Sequence, residues 1–190
     1  MNMNQGHAVT SLCRGHYPKL EEMGVEVYRG DLANPEIVMQ AAKGCDRIYH
    51  VAAKAGVWGS YNDYYQPNVV GTENILNACK AHGITKLIYT STPSVIHAGG
   101  DVEGIDESEP YPEHFETHYP ATKAIAEKMV LEANGRQLQT VALRPHLIWG
   151  PDDNHLVPRI VDRGQRGKLK LVGGGLKLID SVYIDNAADA

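Results

Sequence analysis

Apolar runs of four to eight residues alternate along this chain with segments of helical pattern. "HAVTSLCR" and "VEVYRGDL" read as strands, the second ending in a turn. "NPEIVMQAAKGC" reads as a helix, with Asn34 as its cap, Pro35 at its first position and Gly44 near its end. "DRIYHVAA" is a buried strand, and "YNDYYQPNVVGTENILNACKAHG" is mostly one long helix closed by Gly83. "TKLIYTST" is a strand, "PATKAIAEKMVLEANG" a helix closed by Gly135, and "QTVALRP" a strand. "LVPRIVDRGQRG" follows as a helix, then the short strands "LKLV" and "DSVYI". Strands that are apolar throughout, separated by helices, pair in parallel and are covered on both faces. The pattern therefore predicts an α/β fold, a doubly wound Rossmann-like parallel sheet.

One stretch has neither period. "HAGGDVEGIDESEPYPEHF" is a long, Gly- and acid-rich loop, and a loop of that length inside a compact domain is more often functional than idle. No internal repeat, low-complexity tract or linker divides the 190 residues, which suit one domain or a large piece of one. A formal charge of −5 gives no reason to expect nucleic acid as a partner, and the basic run "RGQRGKLK" is too short to change that. No apolar run approaches the roughly 20 residues that span a bilayer. "MNMNQGHAV" lacks the pattern of a signal peptide, so the expected location is cytoplasmic. Cys13, Cys45 and Cys79 are odd in number, far apart and without metal-ligand spacing, which predicts free thiols. The nine histidines form no ligand pair on a helix, and no metal is expected.

The chemistry concentrates in "HYPATKAIAEK". Tyr119 and Lys123 are four residues apart at the head of a helix, so they share one face. A free tyrosine has a pKa of about 10, too high for ready proton exchange near neutrality. A neighbouring ammonium favours the phenolate, which would make Tyr119 an acid/base for interconverting a hydroxyl and a carbonyl. "YTSTPSV" places hydroxyls just beyond a strand, one strand–helix unit earlier, and in open α/β sheets ligands bind outside the carboxyl ends of strands. Thr92 is the choice for a hydroxyl that orients a substrate oxygen, with Ser91 and Ser94 as close rivals. By itself each of these residues has an ordinary role as helix or turn residue; together they converge on one edge of one sheet.

The set "GDL", "HVAA", "NVVGTENIL", "YTSTPSV", "YPATK" and "LRPHLIWGP" resembles the extended short-chain dehydrogenase/reductase superfamily, from about Gly6 to Ala190. Within it, "TPSVIHAGGDVEGIDESEPYP", "TVALRPHLIWGP" and "VYIDNAADA" look most like the 3β-hydroxysteroid dehydrogenase branch. They are similar to 2-alkyl-3-oxoalkanoate reductases and to sterol-4α-carboxylate 3-dehydrogenases. The resemblance implies an oxidoreductase that uses NADP or NAD. Tyr119 would be the acid/base, Lys123 would hold the nicotinamide ribose and depress the tyrosine pKa, and Thr92 would orient the substrate. Asp31 and Leu32 would lie at the adenine, Ala52 and Ala53 would line the cofactor, and Asn68 would sit in the supporting helix. Pro145 and His146 would flank the nicotinamide carboxamide.

Arg14 follows Cys13 at the end of a strand with no acid adjacent, which favours NADP over NAD, because an arginine there accommodates a 2′-phosphate. The loop "AGVWGSYNDYY" is aromatic and small, suits an apolar pocket, and has no arginine for a nucleotide-sugar pyrophosphate, which points to a lipid-like or steroid-like substrate. Nothing indicates a membrane contact, though a lipid substrate leaves one open, and a homodimer is left open too. The superfamily's GxxGxxG turn has no counterpart here, and "VGGG" lies too late in the chain to replace it. The expected domain is accordingly residues 1–190 as an incomplete NAD(P)-binding unit, lacking the first strand, the Gly-rich turn and most of the C-terminal substrate segment. Such a sheet would either be split by a gap or close up in an altered register, and weak nucleotide binding and poor solubility are expected of it. The alternatives are a nucleotide-sugar epimerase or dehydratase, a non-catalytic dinucleotide-binding protein, and a non-functional partial product.

Overall fold

The computed structural model describes residues 6–97, 99–153 and 156–190. The reading of the opening "MNMNQ" therefore lies outside the described residues. The chain forms two compact units, 1–144 and 145–190.

The first unit alternates strand and helix as the pattern predicts. Its elements are β1 (Thr10–Cys13), α1 (Pro18–Glu22), β2 (Glu26–Arg29), α2 (Pro35–Ala41), β3 (Arg47–His50), α3 (Tyr61–Tyr65), α4 (Gly71–His82), β4 (Lys86–Thr90), α5 (His118–Glu132) and β5 (Gln139–Leu143). All strand pairs are parallel, but the sheet is divided: β1 pairs with β2, β3–β4–β5 form a second ladder, and no described backbone pairing joins β1 to β3. Of the two outcomes the sequence allows, the split is the one found. Helix packing bridges it, since Leu12 of β1 and Ile48 of β3 rest against one cluster that contains Val38, Ile75, Ala78, Leu87, Tyr89 and Val130. Each fully buried large apolar side chain in such a cluster contributes about 1.5–3 kcal/mol.

The local signals explain most boundaries. Asn34 caps α2, its Oδ1 accepting from Glu36 N at 2.9 Å. Gly83 ends α4 at φ 67°, a left-handed conformation that costs glycine little. Gly71 opens α4 against the turn after β2, where a Cβ would sit 2.8 Å from Leu32 Cβ. The long predicted helix is not uniform. Between α3 and α4 the backbone widens into a π segment, Gln66–Val70. Pro67 has no N–H for the usual helical bond, and the Gly71 N–H reaches back five residues to Gln66 O instead. Helix α5 stops at Glu132, with Ala133 as its cap, short of Gly135. Helix α1 was not expected; Pro18 starts it and Gly24 follows soon after its end.

In the second unit β6 (Ile148–Trp149) pairs in parallel with β7 (Val182–Tyr183), accompanied by α6 (Val157–Gln165) and α7 (Ile184–Asp189). The expected strand "LKLV" is absent. Those residues lead into a turn at Gly173–Gly175, whose three glycines all have positive φ, and they have no partner strand among the described residues. No described helix is long and apolar enough to cross a membrane.

Candidate active site

Helix α5 brings the predicted pair to the carboxyl end of β4. Tyr119 and Lys123 lie in its first two turns, and Lys123 is buried at 1% exposure. The Lys123 ammonium donates to Thr90 O at 2.7 Å and stands 4.0 Å from the centre of the Tyr89 ring. Burial lowers its pKa to about 8, with Glu127 pulling the other way. Burial also holds the Tyr119 phenol above its ordinary value, against the expectation that Lys123 depresses it, and the Thr92 hydroxyl rather than the ammonium counteracts burial by favouring the phenolate. Thr92 is thus at Tyr119, as the strand-and-helix placement predicts. Its Oγ1 caps the turn Pro93–Ile96, accepting from Ser94 N at 3.3 Å and donating to Ser94 Oγ at 3.2 Å.

A buried polar chain fixes this centre from beneath. Asn68, in the π segment, accepts from Lys54 N at 2.7 Å and donates to Lys54 O at 3.1 Å and Thr122 Oγ1 at 3.0 Å. Thr122 donates in turn to the carbonyls of His118 and Tyr119. One amide therefore ties the segment after β3, which contains the exposed Ala52 and Ala53, to the turn of α5 that bears Tyr119. The π segment permits this by turning Asn68 inward. His50 lies behind Lys123, bonded to Thr72 Oγ1 at 2.8 Å. Burial and the nearby Lys123 lower its pKa to about 3, so it is neutral.

Arg14 and Asp31 line a cavity of about 320 Å³ with Ala33, Lys54, Asn62 and Gln66, among others, and Leu32, Ala52 and Ala53 are not in its lining. Arg14 Nη1 is 3.7 Å from Asp31 Oδ2, and both are largely exposed. Asp31 Oδ1 also accepts from Ala33 N at 2.9 Å, and Asn74 Nδ2 donates to Leu32 O at 2.8 Å, so the turn after β2 is fastened to α4. Pro145 and His146 belong to the second unit, where His146 Nδ1 bonds Asp180 Oδ1 at 2.7 Å and lowers that carboxyl's pKa. No group of three or more described His, Cys, Asp or Glu residues could hold a metal ion.

Three residues at this site were not singled out from sequence: Glu127, Arg144 and Tyr111. Glu127 is fully buried one turn beyond Lys123, and Arg144 and Tyr111 bond to it. The signal was present in the continuation of the spacing, since residues 119, 123 and 127 share one helical face.

The parallel strands alternating with helices define a Rossmann-like α/β fold. Residues 14–190 match the 3-beta hydroxysteroid dehydrogenase/isomerase family, and the chain belongs to that family. It is 57% identical over 192 residues to a 2-alkyl-3-oxoalkanoate reductase of Shewanella oneidensis, covering 97% of this chain and 50% of that protein. It is 36% identical over 165 residues to the human sterol-4-alpha-carboxylate 3-dehydrogenase, decarboxylating, covering 85% of this chain and 44% of that one. Among solved structures it is similar to MoeE5 in complex with UDP-glucuronic acid and NAD, with TM-score 0.81 and 25% identity over 99% of this chain and 64% of that one. The chain thus spans about half the length of the curated relatives it matches.

Proposed function

We propose that the protein is a nicotinamide-dependent oxidoreductase that interconverts a ketone and a hydroxyl on a lipid-like or steroid-like substrate. What supports this reading is the Thr92 hydroxyl acting on the Tyr119 phenol, with Lys123 buried on the same helix and bonded to Thr90 O at the end of β4. In the reductive direction a bound nicotinamide would supply the hydride, and Tyr119 would give its proton to the ketone oxygen. Thr92 would hold that oxygen, and Lys123 would bond the nicotinamide ribose. Asp31, which lines the 320 Å³ cavity, would border the nucleotide together with Leu32, Ala52 and Ala53. Arg14 at that cavity supports NADP over NAD, on condition that it exchanges Asp31 for the 2′-phosphate. Relatedness to a reductase of 3-oxoalkanoates and to a sterol dehydrogenase supports the apolar substrate class over a nucleotide sugar.

The test is reduction of a 2-alkyl-3-keto fatty acid by the purified protein with NADPH and with NADH, followed by the loss of reduced nucleotide. Turnover that is faster with NADPH, and that Tyr119→Phe abolishes, supports the reading. A protein that binds either nucleotide yet transfers no hydride to such ketones overturns it.

A further inference from the structure

Tyr111 stands at a boundary in the acid-rich segment 99–117. Residues 101–110 are all exposed, whereas Tyr111, Pro112, Phe115, Thr117 and Tyr119 are half-buried. At that boundary the Tyr111 hydroxyl donates to Glu127 Oε1 at 2.7 Å. Glu127 has none of its surface exposed and is paired with Arg144, just past β5. Arg144 Nη2 lies 2.6 Å from Oε1, and its Nε lies 3.2 and 3.3 Å from Oε1 and Oε2. A hydrogen bond to an ionised acceptor is roughly twice as strong as one between neutral groups. Lys128 Nζ stands 4.5 Å from the centre of the Tyr111 ring and the Arg144 guanidinium 5.8 Å, so cations hold the ring as well as the hydroxyl. Pro110 and Pro112 flank Tyr111, and each fixes its own φ, which leaves the backbone little freedom at this anchor.

The chain that leaves this anchor enters α5 at His118, and its first turn carries Tyr119. Thr117 occupies the cap position, but its side chain makes no capping bond. An uncapped start leaves first-turn N–H groups unsatisfied and prone to fray. From the body of the first unit the turn is held by Asn68 through Thr122, and by the His118 ring, whose centre is 5.6 and 6.1 Å from those of Tyr61 and Tyr64. On the approach to the helix, the hydroxyl of Tyr111 bonds back to the same helix at Glu127 and closes the chain into a loop around Tyr119. We infer that Tyr111 is a positioning residue: bonded to the buried Glu127–Arg144 pair, it fastens the chain entering α5 and keeps the exposed arm 101–110 from disturbing the turn that bears Tyr119.

The chemical role of Tyr119 rests on the function proposed above, whereas its fastening by Tyr111 does not, and the test separates the two. Tyr111→Phe keeps the ring and removes the donor. Hydrogen–deuterium exchange across residues 112–121 should then quicken about tenfold or more, with the amides of β4 unchanged. In protein labelled with ζ-13C tyrosine, the Tyr119 signal is identified by its loss in Tyr119→Phe. Tyr111→Phe should broaden it or move it towards the signals of exposed tyrosines. A change confined to residues 112–117, with the 118–121 amides and the Tyr119 signal as in wild type, shows that Tyr111 holds only the loop and overturns the proposal. Wild type alone gives a second check that needs no variant. Its exchange should be fast over 101–110 and slow from Tyr111 onward, and the lack of such a break overturns the proposal equally. In the hydride-transfer assay, kcat of Tyr111→Phe should fall while KM for the nucleotide holds, and an unchanged kcat removes the positioning role. A wild-type protein that transfers no hydride counts against the proposed function and leaves the exchange and the Tyr119 signal readable.

Discussion

The two faces of the β3–β4–β5 sheet are built from the same strands and differ in everything else. On one face Leu87, Tyr89 and His50 lie under α4 and α5, none more than 3% exposed. On the other, the row Tyr49, Ile88 and Val141, aligned across the three strands, is largely open, with Tyr49 48% and Val141 45% exposed. Parallel sheets normally bury both faces. The covered face is where Lys123, Glu127, Asn68 and Thr72 are buried and bonded. Dry packing and a fixed polar network occur together because an unpaired polar group is costly only where water is excluded. The difference teaches that the apolar character of a strand does not predict its burial, while the helices laid across it do.

The largest effect that would test this contrast is chemical. Tyr119→Phe removes the transferable proton but keeps the ring, and keto-lipid reduction should fall about 10²–10⁴-fold. Steady-state rates with unchanged nucleotide binding check it.

Packing comes next. Leu87→Ala on the covered face should cost about 2–5 kcal/mol in denaturant unfolding, because the hole it leaves cannot fill with water or collapse freely. A loss under about 1 kcal/mol would show that the two faces are energetically alike.

Acid should act through the covered face as well. His50 has its folded pKa lowered to about 3 against an ordinary value near 6.5. Between those limits the unfolded chain binds the extra proton, so stability rises with pH and is lost as pH falls from about 6.5 towards 3. One proton sets a slope of at most about 1.4 kcal/mol per pH unit. His50→Asn should flatten that part of the stability curve, and thermal unfolding across the window measures it.

The smallest effect belongs to the open face. Val141→Thr keeps a β-branched residue in an exposed strand position, and its cost should stay within about 0.5 kcal/mol.

The sequence made the alternation of elements legible because apolar runs, Asn34, Pro35 and Gly83 are local signals. The placement of Tyr119 and Lys123 on one helical face and of Thr92 at a strand end was legible for a related reason: helix spacing and the end of a strand fix it without knowledge of the rest. Glu127 was not, because a glutamate four residues beyond a lysine reads as a surface pair until a third element buries it. Its partner Arg144 lies just past β5, 17 residues later. The π segment escaped because Pro67 in a helical pattern signals disruption but not its form. "LKLV" failed as a strand because a short apolar run becomes one only beside a partner edge.

The split between β1–β2 and β3–β4–β5 also sets how the first unit breathes. A hydrogen-bonded ladder couples neighbouring strands into one cooperative unit, and that coupling stops at the split. The amides of β1 and β2 should therefore exchange with deuterated water through a partial opening in which α2 lifts from α4, while those of β4 wait for the whole unit to unfold. Arg14 and Asp31 follow the β1–β2 ladder, Lys54 and Asn62 lie between β3 and α4, and all four line one cavity. A nucleotide seated among these four would lace the two ladders together, and slowed exchange in β1 would then report its binding directly.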